Sequence, residues 1–244
     1  MTERTFVPEI HKKVVEENQT RGKTRHYSTS TDGHRPTFEP FIPDASYADT
    51  LSGAVIKCVD IVVMDENTGE ILVATRNQEP MAGKWVFGGR KRAGETNAET
   101  AIINMRREFG LEIDPTALVD TGHEYDEIWD TRSKAHITTT SRSGEPVTGS
   151  HTTSSAYILP LNKEQLNTNT YNEEFGAIEW VPFEDILNSK PGEYHPAVVD
   201  MVRDGIDALT TPDKPASIDE DIFRTTTKLS YLKAQIGRAS SRYT

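Results

Sequence analysis

The sequence predicts an α/β sandwich, and three features of its middle section carry that expectation. A run dense in β-branched residues, AVIKCVDIVVMD (54–65), meets a turn at Glu66-Asn67-Thr68-Gly69 and is followed by EILVATR (70–76). That is the pattern of a β-hairpin. From Asn97 to Phe109, Ala98, Ala101, Ile102, Met105 and Phe109 recur at helical spacing, with Thr96 placed to cap the start and Gly110 to stop the end. Beyond this helix, strand-like stretches give way to two more helical patterns, so strands and helices share one layered core.

Taken in order, the first forty or so residues are polar, with a Thr/Ser/His/Gly stretch from Thr24 to Thr37. Only Pro8–Asn18 reads as a short helix there. Regular structure is expected to begin near Ala54. Trp85-Val86-Phe87 reads as one short strand ending at Gly88-Gly89. Further strands are expected at 117–124, 153–161 and 177–181, with a loop or hairpin tip at 141–150, and helices at 182–187 and 196–209. After Thr210 the composition turns polar again, with one helical stretch from Thr227 to Ile236. The organisation is then a polar extension at 1–40, one domain at 41–210 and a second extension at 211–244.

Charge narrows the partners. The 244-residue chain has a formal net charge of −11, and residues 50–211 hold 14 Lys/Arg against 26 Asp/Glu, which leaves the flanks near neutral. An acidic middle repels phosphate backbones, so nucleic acid is disfavoured as the main ligand. The near-neutral tails give little footing for RNA. Any anionic ligand needs local basic residues or a cation. Cys58 is the single cysteine, which excludes an intrachain disulfide and a Cys₃ or Cys₄ metal site. With a polar start and no long apolar run, the chain reads as a soluble, cytoplasmic protein without a membrane segment.

The chemistry concentrates between Gly89 and Leu111. Gly89, Glu95, Met105, Glu108, Gly110 and Leu111 stand at the spacing G-x₅-E-x₇-R-E-U-x-E-E-x-G-U, where U is a bulky apolar residue. WVFGG (85–89) leads into it. This stretch resembles the Nudix box, and the resemblance implies a Nudix fold, a mixed β-sheet sandwiched between helices, in a hydrolase of nucleoside diphosphates linked to another moiety. Three positions depart from the pattern: Ile103 for its arginine, Asn104 for the next glutamate, and Arg107 for the first of the paired glutamates. Positions 104, 107 and 108 share roughly 100° of helix. Only Glu108 keeps its charge there, which disfavours a site with several metal ions.

GDP-mannose mannosyl hydrolases also lack most of these carboxylates, and the chain is similar to them over 41–182. The segments FIP (41–43), CVDIVV (58–63), TRNQEPMAGKW (75–85) and GGR (88–90) carry the likeness. It implies one Mg²⁺ (or Mn²⁺) held by the Gly89 carbonyl, Glu108 and Glu174, oxygen ligands that suit a hard cation. It implies Arg90 on the diphosphate, with Lys91 and Arg92 adding positive charge, and Asp60 near the sugar. That branch's catalytic histidine is Phe175 here, and arginines of its box helix and first loop are Ile103 and Glu79. Glu173 or His151 then stand as candidates for the general base. Two functions follow as expectations: a Mg²⁺-dependent hydrolase of a nucleotide sugar, or a Nudix-like module without catalysis that binds a nucleotide or a protein. The partner is a small nucleotide in either nucleotide reading, and the extensions could cover a homodimer.

Overall fold

The computed structural model describes residues 44–80, 83–131, 140, 144–166 and 175–210. The expected helices at 8–18 and 227–236 lie outside this set, as do both extensions and Glu173 and Glu174. A helix α1 (Asp44–Gly53) precedes strands β1 (Ile56–Asp65), β2 (Glu70–Arg76), β3 (Gly83–Trp85) and β4 (Phe87–Arg90). Helix α2 (Asn97–Phe109), strands β5 (Val119–Trp129), β6 (Ser150–Leu161) and β7 (Phe175–Pro182), and helices α3 (Phe183–Leu187) and α4 (Pro196–Thr210) follow. The strands form one mixed sheet in the order β3-β2-β1-β6-β5, with β4 paired to β1 and β7 to β2. β1 and β6 run parallel, and the other pairs are antiparallel.

Strand alternation divides the core between two faces. Val59, Ile61 and Val63 of β1 pack with Leu72, Phe87, Met105 and Phe109 on the α2 side. Val62 and Met64 point the other way, into a cluster with Ile158 and with Val198, Met201 and Val202 of α4. This second face is apolar only in the later half of β1. Further back, the same alternation presents Asp60 and Cys58.

α2 begins and ends as the sequence predicts. Thr96 accepts from the Glu99 amide while the Glu99 carboxylate accepts from the Thr96 amide, and Gly110 closes the helix in the left-handed region. Its buried stripe is rotated from the expected one. Ala98 and Ile102 are half-buried, whereas Asn97, Thr100, Asn104 and Glu108 are buried beside Ala101, Met105 and Phe109. The helix therefore inserts a polar edge into the molecule.

Three elements differ from the sequence reading, the first being β5, which runs to Trp129 where a strand over 117–124 was expected. α1 precedes Ala54, where regular structure was expected to begin; its segment DASYADTLSG has no apolar stripe, and among its described side chains only Ala48 and Leu51 are buried. The single strand expected at 85–87 is two strands. Trp85 pairs with Ala74 of β2, whereas Phe87 pairs with Ile61 of β1, so the chain changes partner at Val86.

The β1–β4 pairing depends on Gly88. A Cβ there would lie 2.3 Å from the Asp60 Oδ1 and 2.5 Å from the Val59 carbonyl. Gly88→Ala should lower the unfolding free energy by about 1–3 kcal/mol or more, measured by urea denaturation. Adding Asp60→Ala should not restore it, because the backbone clash remains. An unchanged midpoint in Gly88→Ala would refute this close approach.

Candidate active site

A cleft of about 480 Å³ opens on the face of the sheet where β1 carries Asp60 and Cys58. That volume suits a small ligand. Its inner wall follows from strand register. Cys58 is paired with Arg90 and Ser154, and Asp60 with Gly88, while Glu127 and Trp129 of β5 are paired with Thr152 and Ser150 of β6. All of these side chains or backbone positions line the cleft. α1 contributes Tyr47 and Leu51, and the Arg90 guanidinium stacks 3.7 Å from the Tyr47 ring centroid. Arg76, Arg90 and Arg107 give the cleft three guanidinium groups within a strongly acidic chain.

Two buried carboxyls lie in it. Asp60 is 5% exposed, and hydrogen bonds from Ser154 and Trp85 support its charge, but burial outweighs them and pushes its pKa up. Glu127 is 8% exposed. Its Oε2 accepts from Thr152, whose hydroxyl oxygen also accepts from the Trp129 indole, whereas its Oε1 has no partner among the described residues. Burial first, and the charge of Asp60 second, push the Glu127 carboxyl up to about 7. A carboxyl tuned this way can take up a proton near neutral pH.

The box helix closes another side. Glu108 is fully buried, and Arg107 donates through Nε to its Oε1 at 2.7 Å. Arg107 Nη2 contacts the same carboxylate oxygen and donates to the Gly88 carbonyl at 3.1 Å. A Cβ on Gly89 would lie 3.1 Å from that Nη2 and 3.0 Å from Asn104 Oδ1. The bare backbone of Gly88 and Gly89 is thus the surface on which the guanidinium rests. Asn104 is also buried, and its amide nitrogen has no partner among the described residues.

A family model described as the NUDIX domain matches residues 56–203, more than half of the chain. The chain belongs to the NUDIX domain family. That membership makes it a hydrolase by class. No curated protein matches by sequence. Similar solved structures include the E. coli ORF135 protein, at 17% identity over 62% of this chain and 89% of that one, with a TM-score of 0.41. The E. coli dihydroneopterin triphosphate pyrophosphohydrolase shares 14% over 60% and 92%, with a TM-score of 0.43. A C. elegans Ap4A hydrolase binary complex shares 15% over 64% and 98%, with a TM-score of 0.42.

Nudix hydrolases bind small nucleotide substrates and generally use divalent metal cations. The described residues of this Nudix domain do not fit such an ion at the box. Glu108 already holds a guanidinium, and so does the Gly88 carbonyl beside it. Asn104 offers an amide, which carries no negative charge whichever way it is turned. Among the described residues, no group of three or more His, Cys, Asp and Glu is placed to hold a metal. Of the expected Gly89–Glu108–Glu174 metal set, Glu108 is paired with Arg107 and Glu174 lies outside the described residues.

The other site expectations divide. Arg90, Asp60 and Gly89 line the cleft. His151 does not: it sits one residue from Thr152 on β6, so alternation turns it to the opposite face, where its Nε2 meets Asp126 Oδ1 at 2.7 Å. The candidate base His151 is therefore turned away from the cleft. Lys91 is turned to Asn97, to which its Nζ donates at 2.9 Å, and neither Lys91 nor Arg92 lines the cleft. Glu95 accepts from the Arg92 amide and the Thr100 hydroxyl, which fixes the entry to α2. Phe175 is buried against Phe87 at 5.3 Å. Glu127, Trp129, Arg76 and Tyr47 were not anticipated. Alternation in YDEIW (125–129) would have put Glu127 and Trp129 on one face, but nothing in the sequence ties that face to Asp60. No helix among the described residues is long and apolar enough to cross a membrane.

The raised pKa of Glu127 makes stability depend on pH with a definite sign. Below the ordinary carboxylate range both folded and unfolded chains hold its proton. As pH rises, the unfolded chain releases the proton first, so stability is lost until pH passes about 7. Glu127→Gln removes this loss. Between about pH 5 and about pH 8 its unfolding free energy should gain on the wild type by on the order of 2–3 kcal/mol, measured by chemical denaturation. A constant difference across that window would contradict the assignment.

Proposed function

We propose that the cleft hydrolyses a nucleoside diphosphate linked to a second moiety, with nucleotide sugars as the substrate class. The observation that carries this is the placing of Arg76, Arg90 and Arg107 around one cleft that also contains the half-paired Glu127. Guanidinium groups suit phosphate oxygens because their planar N–H forks can donate in pairs. Stacking on Tyr47 holds Arg90 in a fixed orientation. The assignment of a sugar rests on the resemblance of residues 41–182 to GDP-mannose mannosyl hydrolases, and on Asp60 lying in the same cleft.

In this reading Glu127 Oε1 takes a proton from the attacking water. On the mannosyl-hydrolase pattern the new bond joins water oxygen to the anomeric carbon, the bond from that carbon to the phosphate oxygen breaks, and the nucleoside diphosphate leaves as an anion. On the ordinary Nudix pattern, water attacks phosphorus and the diphosphate divides into a nucleoside monophosphate and a sugar phosphate. In both, Arg90 and its neighbours offset the charge of the departing group. Mg²⁺, the ion the resemblance implies, is assigned no step, since the box carboxylate is already engaged.

Incubation with a panel of nucleotide sugars and dinucleoside polyphosphates should give turnover on at least one nucleotide sugar. With that substrate, Glu127→Gln should lower kcat about 100-fold with little change in KM and remove the limb of the pH profile near 7. Arg90→Ala should instead raise KM. Hydrolysis in ¹⁸O-labelled water places the label on the sugar for attack at carbon and on phosphate for attack at phosphorus. Tight binding of nucleotide sugars without product after prolonged incubation would overturn nucleotide sugars as the substrate class.

A further inference from the structure

We propose that Arg107 is a built-in cation: its guanidinium takes the place between box carboxylate and glycine backbone that a divalent ion would take, and holds the substrate's diphosphate there. The proposal rests on the diphosphate reading of the cleft.

Three features of the geometry carry it. Arg107 bridges two oxygen acceptors from separate elements, the Glu108 carboxylate on α2 and the Gly88 carbonyl on β4. These are a box carboxylate and a main-chain oxygen, the donor types a hard cation prefers. The bridge is also seated. Gly89 leaves room that a Cβ would fill, 3.1 Å from Nη2 and 3.4 Å from Nη1. Finally, the guanidinium is not used up. Nε and Nη2 serve the two oxygens, while Nη1 has no acceptor among the described residues, and Arg107 lines the cleft with a side chain 43% exposed. An arginine has five N–H donors, so donors remain for phosphate oxygens.

Burial explains why the pair persists. Glu108 is fully buried, and an unpaired buried carboxylate is costly. Neighbouring Asn104 supplies no compensating positive charge, and its amide nitrogen has no partner among the described residues. The guanidinium, which lines the cleft, favours an incoming oxygen anion and disfavours an incoming cation. The substitution that puts Arg107 at a carboxylate position of the box therefore gives the cleft a positive charge that is covalently attached.

The test uses the full chain and two probes. Mn²⁺ binding is followed by electron paramagnetic resonance without nucleotide, and GDP binding by calorimetry in EDTA and in Mg²⁺. The wild type should bind no Mn²⁺ at sub-millimolar concentration, and its GDP affinity should agree within about threefold between EDTA and Mg²⁺, because the charge on phosphate is met by arginine. Arg107→Glu, checked for folding by thermal denaturation, should gain Mn²⁺ binding. Arg107→Gln, which keeps the side chain polar but uncharged, should weaken GDP in EDTA by roughly tenfold or more. Mn²⁺ bound by the wild type, or GDP binding that EDTA abolishes, overturns the proposal and leaves the diphosphate reading standing. A folded Arg107→Glu protein without Mn²⁺ also overturns it, because the place would then not be one a cation takes. GDP bound under neither condition overturns the diphosphate reading, and with it the substrate contact assigned to Arg107. The Mn²⁺ results decide separately whether its guanidinium replaces the ion.

Discussion

The site depends on how closely β4 approaches β1 at Gly88. Without a side chain there, the Asp60 carboxyl and the Val59 carbonyl can sit within what would be bonding or clashing distance of a Cβ. That approach fixes three things together. It aligns Arg90 with Cys58 on the cleft face, leaves the Gly88 carbonyl within reach of Arg107, and brings the start of the box into register with the sheet. The glycine pair is needed twice, once against β1 and once, at Gly89, against α2.

From this anchor, one sheet face does two jobs. Val62 and Met64 pack under α4, and two and four residues before Val62 the same face carries Asp60 and Cys58 into the cleft. The strand does not change conformation between core and site; it only outruns the helix that covers it. Rigidity at the site therefore comes from the core. Asp60 and Glu127 are held by Ser154 and Thr152 of one strand, β6, and both pKa shifts arise chiefly from the burial that this packing imposes.

Much of this was legible in the sequence, for reasons that differ by element. The β1–β2 hairpin and α2 were readable because periodicity, turn residues and caps agreed over short range, and the capping box at Thr96 and Glu99 is local chemistry. The break at Val86 was not, since it depends on which strands lie on either side. Gly89 and Arg90 came from the family resemblance, and both line the cleft. His151 could not be excluded by spacing, because whether it faces the cleft depends on the pairing of β5 with β6. Glu127 escaped notice for the same reason: its partner Thr152 is 25 residues away and its electrostatic neighbour Asp60 is 67 residues before it. Arg107 was visible as a departure from the box, but its consequence was not. A sequence shows that a carboxylate is missing; only the fold shows that its replacement on α2 reaches a carbonyl on β4.

The charge of the chain gives that replacement a physical rationale. Residues 50–211 are strongly acidic, so a diphosphate approaching the domain meets net repulsion that local positive charge in the cleft must offset. An exchangeable ion would require several oxygen ligands held together, and each buried carboxylate added for it would carry its own desolvation cost. A guanidinium needs fewer. One buried carboxylate and one carbonyl suffice to seat it, and its planar fork still presents donors outward. It is also covalently attached and cannot dissociate, while Glu127, pushed up to about 7, sits in the same cleft.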